Sequence, residues 1–285
     1  FTATITDADG DVDADTHTIT ITDGANPQDA ATQSVTLDED DLPDGSSTNV
    51  PALTQVATLA FTAGSDTLGS FVFTGIGGLD TDANDGTAGG TIVWVMSPGD
   101  REIKGYVNGD AMTGQLAITL TLGGATSIDP NLAGNVTVTV TLADNFANIF
   151  ADNLQTSFDL GSVTVQGSDG DDTVTGVVNV TVIDDVPSVE IAPAVADDTP
   201  ATDTVAENGA NLSGAITLVE GADQDATLVI SGTGFADMSF TLNGAADVTL
   251  VRTVMNGPDE LGVLSVTVNA GGAASWTFNP SLDVA

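Results

Sequence analysis

Residues 135–142 read Asn-Val-Thr-Val-Thr-Val-Thr-Leu and alternate polar and apolar side chains without interruption. This period of two places the three valines and Leu142 on one face of a strand and the three threonines on the other. Valine and threonine favour strands, and one polar face is typical of an antiparallel sheet with one solvated side. The stretch therefore predicts a sheet strand whose valines point into a core.

The same alternation recurs in other short stretches, at 16–22, 116–122, 178–183, 264–268 and 274–278. In the first of these it places His17, Ile19 and Ile21 on the inward face of a predicted strand. Many short strands with 32 glycines between them favour antiparallel sandwiches over alternating strand–helix units. The sequence therefore predicts an all-β fold built from antiparallel β-sandwiches.

The charge balance is extreme, with 41 acidic side chains against 3 basic ones and a formal net charge of −38. Nucleic acids and anionic membrane surfaces are disfavoured as partners, because both need clustered Lys and Arg. No apolar run approaches the ~20 residues of a membrane-spanning helix, so no direct membrane insertion is expected. Since 41% of the residues are apolar, the chain still has the material for packed cores.

One ordered series of motifs occurs twice along the chain. An Asp-Gly-Asp loop, a strand pattern and a proline follow one another at 9–11 and Pro27, and again 160 residues later at 169–171 and Pro187. An acidic strand start follows each of the two prolines. A repeated series of this kind predicts tandem domains with a repeated junction.

The repeat divides the chain into three parts. We expect residues 1–25 to be the final strand or strands of a preceding β-sandwich, and residues 26–187 to be one complete β-sandwich. Residues 188–285 are expected to form a second β-sandwich without its last strand or strands, and 1–25 is the kind of segment that closes it. The expected partners are neighbouring domains of one long chain, with identical subunits joined by strand exchange as an alternative.

Carboxylates are concentrated at the two predicted junctions, where their mutual repulsion opposes folding. Calcium is held by about six to eight oxygen ligands, so a bound Ca²⁺ would relieve this repulsion. The candidate ligands are Asp7, Asp9, Asp11 and Asp13 with Asp23 and Glu39 at the first junction, and Asp169, Asp171, Asp184, Asp185 and Glu207 at the second. The competing interpretation is that acids in turns only cap backbone groups and keep the surface soluble.

The motifs resemble those of large repetitive bacterial adhesins exported by type I secretion, the RTX adhesins, and of their cadherin-like modules. The stretches that carry the resemblance are 7–11, 20–27, 38–43, 167–171, 183–187, 205–209 and 266–280. The resemblance implies tandem Ig-like or cadherin-like sandwiches with Ca²⁺ at the junctions. It also implies an extracellular location, on the bacterial surface or secreted.

Enzymatic activity is not expected, because His17 is the only histidine and no nucleophile lies near it in the sequence. We expect instead a Ca²⁺-stabilised extender region that projects adhesive domains for attachment and biofilm formation. Two alternatives stay open. One is a module that binds a sugar or a protein around Trp94–Tyr106, and the other is a subunit of an extracellular filament assembled by strand exchange.

Overall fold

The computed structural model describes residues 1–43, 45–46, 53–81, 91–107, 109–146, 157–194, 205, 209–222, 226–242 and 244–281. Within these ranges the chain consists of strands and their connections, with one short 3-10 turn at Glu39–Asp41. Among the same residues, no helix is long and apolar enough to cross a membrane. The predicted all-β fold is confirmed.

A two-stranded hairpin opens the chain. It consists of β1 (Thr2–Thr6) and β2 (Val12–Thr16), which are antiparallel, and all of their residues are exposed. The strand predicted at 16–22 is wrong, because β2 ends at Thr16 and no strand follows it before Gln33.

The inward orientation predicted for this stretch is also wrong. Ile19 and Ile21 are 70% and 92% exposed, and His17 is exposed with its ring 5.6 Å from that of Phe1. The alternation is present in the sequence, but the described residues place no second sheet over this segment. A strand pattern without a facing sheet has nothing to bury, so the prediction fails for lack of a tertiary partner.

Ten strands form the first sandwich. They are β3 (Gln33–Asp38), β4 (Thr54–Thr62), β5 (Leu68–Phe73), β6 (Val93–Met96), β7 (Glu102–Val107), β8 (Gln115–Gly124), β9 (Ser127–Ile128), β10 (Ala133–Leu142), β11 (Ser157–Ser168) and β12 (Thr173–Ile183). One sheet has the order β4-β10-β8-β7-β6 and the other has the order β3-β12-β11-β5-β9. The inner faces of both sheets contribute to a single hydrophobic core.

Residues 135–142 lie in β10, and the predicted strand with its valines in the core is confirmed. Val136, Val138, Val140 and Leu142 are fully buried, while the threonines between them are only partly covered. The valines of β12 alternate in the same way on the facing sheet and are also buried. Period-two burial on both sheets is what holds the two layers together.

The first and last strands of this sandwich are paired in parallel, which the sequence pattern does not predict. β3 runs beside β12 with Gln33 opposite Val178 and Asp38 opposite Ile183, whereas the other strand pairings described are antiparallel. Parallel strands end at the same edge of a sheet. The residues that follow Asp38 and those that follow Ile183 therefore lie at one end of the sandwich.

Seven further strands form a second, smaller body. They are β13 (Ser188–Ile191), β14 (Leu212–Val219), β15 (Thr227–Ile230), β16 (Met238–Thr241), β17 (Val248–Asn256), β18 (Asp259–Val268) and β19 (Ala274–Pro280). One sheet has the order β13-β14-β19-β18-β17, and the second layer is the pair β15-β16. The two layers share their own core, which includes Ile216, Met238, Phe240 and Val266.

The two bodies touch through the turn that follows β14. Gly221 has φ +79°, and a Cβ at this position would collide with the carbonyl oxygen of Asp185. The next residue, Ala222, is buried in the core of the first sandwich. Residues of the second body thus contact the end of the first sandwich at which β3 and β12 finish.

Candidate metal centre

Carboxylates gather at three places in the described residues, which we name by position. The hairpin cluster is Asp7, Asp9 and Asp11; the linker cluster is Asp23, Asp169, Asp171 and Asp172; the end cluster is Asp38, Glu39, Asp40, Asp41, Asp184 and Asp185. The first lies in the β1–β2 turn, the second at the start of β12, and the third where β3 and β12 end.

The hairpin cluster has the most compact arrangement of oxygens. Single carboxylate oxygens of Asp7, Asp9 and Asp11 lie within 4.8 Å of one another, and all three residues are exposed. Oδ1 of Asp7 accepts hydrogen bonds from the backbone amides of Asp11 at 2.9 Å and Gly10 at 3.0 Å. Asp13, predicted as a fourth ligand, lies on β2 and accepts a hydrogen bond from the amide of Ala14.

Hydrogen bonds favour the ionised form of Asp7. The Asp9 side chain, and then the backbone amides of Asp11 and Gly10, hold the pKa of Asp7 below its ordinary value. Gly10 has φ +102°, a backbone conformation that favours glycine, and this lets the loop fold back over the Asp7 carboxylate. The turn therefore keeps Asp7 ionised.

In the linker cluster, acids of two chain segments meet. The carboxylate of Asp23 is the largest of the charges that raise the pKa of Asp171, followed by Asp169. The linker is held there by the amide of Ala25, which donates to Oγ of Ser65 at 2.5 Å. Asp23 was predicted to complete the set around Asp7, but the structure places it beside Asp171.

The end cluster contains the carboxylates that are most removed from water. Glu39 is fully buried, and its Oε1 accepts a hydrogen bond from the amide of Phe146 at 2.7 Å. Asp185 is also buried, and it accepts from the amide of Ser46 at 2.7 Å and from the Ser46 hydroxyl at 2.5 Å. Burying ionised carboxylates is costly unless partners or cations compensate for the lost water.

Two further acids of the end cluster, Asp38 and Asp41, have raised pKa values. Partial burial raises the pKa of Asp38 to about 6. The hydrogen bond from the amide of Asp40 lowers this pKa, and the charges of Asp40 and Asp41 raise it. Burial, followed by a side-chain hydrogen bond with Asp40 and its charge, also raises the pKa of Asp41. Within the end cluster, Asp38, Asp40 and Asp41 therefore repel one another.

The three basic side chains are engaged elsewhere. Arg101 donates to the carbonyls of Phe71 and Leu122, and Arg252 donates to backbone carbonyls that include that of Ala236. Lys104 forms an ion pair with Glu102 at 2.8 Å. Within the described residues, none of the printed contacts of these three side chains is to an acid of the three clusters.

The structure separates residues that the sequence had grouped. Asp169 and Asp171 precede β12, whereas Asp184 and Asp185 follow it, and the eleven residues between them span roughly 35 Å at about 3.3 Å each. These two pairs were predicted as one set and cannot share an ion. Glu207, the last member of that set, lies outside the described residues.

Glu39 also lies apart from the residues with which the sequence had grouped it. It was predicted to complete the ligand set of Asp7, Asp9 and Asp11, but it lies in the end cluster with Asp185. The parallel pairing of β3 with β12 is the reason. Asp38, Asp40 and Asp41 were not predicted as ligands, although the acidic run around Glu39 was a signal for them.

The oxygen-only donor set fits a hard cation. The clusters contain carboxylates and nearby backbone carbonyls, with no cysteine in the chain and its only histidine outside them, which suits Ca²⁺ rather than Zn²⁺ or copper. In the described residues, only the hairpin cluster brings three carboxylate oxygens within 4.8 Å. Binding in the end cluster therefore requires rotation of its side chains toward a common point.

The segment Trp94–Tyr106, the other candidate site, is occupied by contacts within its own sandwich. Trp94 is buried in the core, and its indole Nε1 donates to the carbonyl of Asp80. Gly105 lies against the Trp94 ring, so close that a Cβ there would approach Cζ3 to 2.7 Å. Trp94 is therefore not an exposed aromatic anchor, whereas Tyr106 in the same segment is half-buried.

Neither a scan against protein-family models nor a search of the curated proteins finds a match for this chain.

Proposed function

We propose that this chain is a Ca²⁺-stabilised extender region of a secreted or surface-anchored bacterial adhesin. Its β-sandwiches are linked in series and hold adhesive domains away from the cell, for attachment and biofilm formation. In this proposal the protein works outside the cell and does no chemistry. Its proposed role is that of a long, rigid spacer.

The observation that carries the proposal is the end cluster. Two buried acids, Glu39 and Asp185, lie at the end of the first sandwich, which Gly221 and Ala222 of the second body contact. A carboxylate set at a contact between two bodies couples its charge state to their arrangement. When repulsion dominates, the contact is weakened; when the charge is neutralised, the contact is retained.

Calcium supplies two positive charges and a demand for several oxygen ligands. The chain's own residues do the rest. The Phe146 amide binds Glu39, the Ser46 amide and hydroxyl bind Asp185, and Asp38 caps the 3-10 turn at the same end of the sandwich. These side chains rotate toward a common point when the ion binds. Because a cation that binds only the folded chain stabilises it by mass action, the extender is expected to be stiffer and more stable in calcium-rich surroundings.

The test compares the full chain in EDTA and in calcium, by thermal melting and by small-angle X-ray scattering. We expect calcium to raise the melting temperature and to narrow the distribution of interdomain distances, and magnesium to do so less. In Glu39→Gln, the amide of Phe146 keeps an acceptor, yet one buried charge is lost, so the calcium-induced shift should shrink.

Asp110→Asn is the matched control for that variant. Asp110 lies in an exposed turn, where hydrogen bonds from Met112 and Thr113 hold its pKa below the ordinary value. The Asp110→Asn variant removes one negative charge outside the three carboxylate clusters. Its calcium-induced shift in melting temperature should therefore equal that of the unmodified chain. An unmodified chain with the same melting temperature and scattering curve in EDTA and in calcium overturns the proposal.

A further inference from the structure

The linker before each of the two repeated prolines crosses a buried glycine. Gly64 follows β4, and a Cβ there would collide with the carbonyl oxygen of Ala25, two residues before the first of these prolines. Gly221 follows β14, and a Cβ there would collide with the carbonyl oxygen of Asp185, two residues before the second proline. At both places, two backbones approach more closely than a side chain on the glycine would allow.

The pairing of the flanking residues shows that this is one contact made twice. Gln28 forms an antiparallel bridge with Thr62, and Ser188 pairs with Val219 in the antiparallel pair β13–β14. On the linker side, equivalent residues of the two contacts are 160 positions apart, which is the spacing of the sequence repeat. On the strand side they are 157 positions apart, both for the paired residues and for the two glycines. The same contact therefore recurs at equivalent places in the two bodies.

In the first sandwich, hydrogen bonds hold the linker on the turn. The amide of Ser65, the residue after the buried glycine, donates to the carbonyl of Ala25 at 2.7 Å. In return, the amide of Ala25 donates to Oγ of Ser65 at 2.5 Å. Further along the linker, the amide of Gln28 donates to the carbonyl of Thr62 at 2.9 Å. Because these bonds run along the whole crossing, they fix both the position and the direction of the linker.

In the second body, the equivalent turn contacts the first sandwich. Asp185 lies two residues after the end of β12, so its carbonyl belongs to the end of that sandwich. Ala222, the residue after Gly221, is buried in the core of the first sandwich. We name Gly64 against Ala25 the first clamp, and Gly221 and Ala222 against Asp185 the second clamp. Since the second clamp touches the first sandwich at two points, it restricts rotation of the second body as well as its separation.

The clamps are made by backbone packing and apolar burial, without a carboxylate group. Asp185 takes part through its backbone carbonyl, while its side chain accepts hydrogen bonds from Ser46. In the first clamp the equivalent residue is Ala25, which has no carboxylate. Packing of this kind depends little on salt or on a bound cation, in contrast to the repulsion between the neighbouring acids.

We propose that the two clamps fix the direction in which the chain enters each body, and that the second clamp holds the two bodies at one orientation without a bound cation. The joint then keeps one mean orientation in EDTA. The calcium of the proposed function acts on the spread around that mean, so the clamp does not rest on the proposed function and either proposal can fail without the other.

Pulsed dipolar electron paramagnetic resonance on the full chain measures the distance between the bodies. The chain has no cysteine, so spin labels can be attached through Val56→Cys on β4 and Val251→Cys on β17, both at exposed positions. In EDTA we expect one narrow distance peak for this labelled chain. Adding Gly221→Ala should shift the peak or broaden it several-fold, because the new methyl group pushes the turn off the Asp185 carbonyl. A broad distribution in EDTA without that substitution overturns the proposal.

Gly272→Ala is the matched control for Gly221→Ala. Gly272 lies in the β18–β19 turn of the same body, with φ +78° against +79° for Gly221, and a Cβ there would meet nothing within 4 Å. Both variants therefore carry the same backbone strain, and only Gly221→Ala adds the collision. Equal distance distributions for the two variants contradict the clamp, even where calcium narrows both of them.

Ala222→Asn tests the same joint without a backbone collision. A polar amide is costly to bury in an apolar core, so the turn should leave the first sandwich while each body keeps its own core. The distance distribution in EDTA should then broaden. Ala273→Asn, at an exposed position of the β18–β19 turn, is the control. Identical distributions for these two variants also overturn the proposal.

Hydrogen exchange tests whether the first clamp works in the same way. Gly64→Ala should speed exchange of the Ser65 and Gln28 amides many-fold, because it breaks the crossing in which both amides are bonded. Gly77→Ala is the control, since neither of these glycines has a positive φ and a Cβ at Gly77 would meet nothing within 4 Å. Equal exchange in the two variants contradicts a repeated clamp.

Discussion

Replacing Asp38 with asparagine removes one charge from the end cluster while the side chain keeps its shape. The Oδ1 atom of either residue can accept the hydrogen bond from the amide of Asp40, so the 3-10 turn keeps its cap. The variant therefore tests the charge of the cluster and leaves its local geometry in place.

The expected magnitude follows from the pKa of Asp38, which burial and neighbouring acids raise to about 6 from 3.8. A raised acid pKa means that the folded chain binds the proton more tightly than the unfolded chain. The ionised group therefore destabilises the fold above pH 6, and this cost disappears as the pH falls below about 4. The full difference corresponds to ~3 kcal/mol, and water screening of this partly open side chain reduces it to roughly 1 kcal/mol.

Urea unfolding in EDTA and in calcium measures the effect, with Asp110→Asn as the control. In EDTA at pH 7, Asp38→Asn should be more stable than the wild type by roughly 1 kcal/mol, and at pH 4 the difference should vanish. In calcium the sign should reverse. If a lost ligand weakens a site about a hundred-fold, at calcium near 100 times the original Kd, it removes roughly 2 kcal/mol of stabilisation.

The decisive result is that the stability difference between Asp38→Asn and the wild type changes sign between EDTA and calcium. A charge that only keeps the surface soluble would give the same small effect in EDTA and in calcium. An Asp38→Asn variant that is destabilised equally in both solutions contradicts a calcium site at Asp38, because it shows neither repulsion without the cation nor attraction with it.

The remaining predictions concern the packing and polar contacts of the first sandwich. Leu59→Ala should lower the free energy of unfolding by about 2–5 kcal/mol, because Leu59 is fully buried on β4. Val56→Ala, on the exposed face of the same strand, should change the free energy of unfolding by less than about 0.5 kcal/mol. Gly105→Ala should lower the free energy of unfolding by about 1–3 kcal/mol, because its methyl group is forced against Trp94. Gly77→Ala is the control, since a Cβ there meets open space, and equal stability of the two variants would contradict the prediction. Ser46→Ala should lower the free energy of unfolding in EDTA by about 1–3 kcal/mol, because it removes the hydroxyl that donates to the buried carboxylate of Asp185 at 2.5 Å. Urea unfolding measures the effect, and an unchanged midpoint would argue against that hydrogen bond.

The strands of the sandwiches were predictable from the sequence because each is patterned by its own neighbours. The alternation at 116–122, 178–183, 264–268 and 274–278 lies in β8, β12, β18 and β19. The same alternation at 16–22 gave a wrong prediction. Its isoleucines meet no facing sheet, and a sequence pattern cannot report whether such a partner is present.

The carboxylate sites were predictable as residue types but not as groups. Which acids meet depends on strand order and direction, which no local pattern encodes. The parallel pairing of β3 with β12 moves Glu39 away from the Asp7 loop, and the length of β12 separates Asp169 from Asp184. The hydrogen bonds from Ser46 to Asp185 cross 139 residues of chain and had no signal in the sequence.

In the proposed function, acids at the end of the first sandwich hold a calcium ion. Crystals grown in calcium, with an anomalous difference map recorded at a wavelength where calcium scatters anomalously, test it most directly. We expect a peak surrounded by oxygens of Asp38, Glu39 and Asp185, at about 2.3–2.6 Å from its ligands. A well-ordered end cluster with no peak, and with its carboxylates turned apart into water, would contradict it.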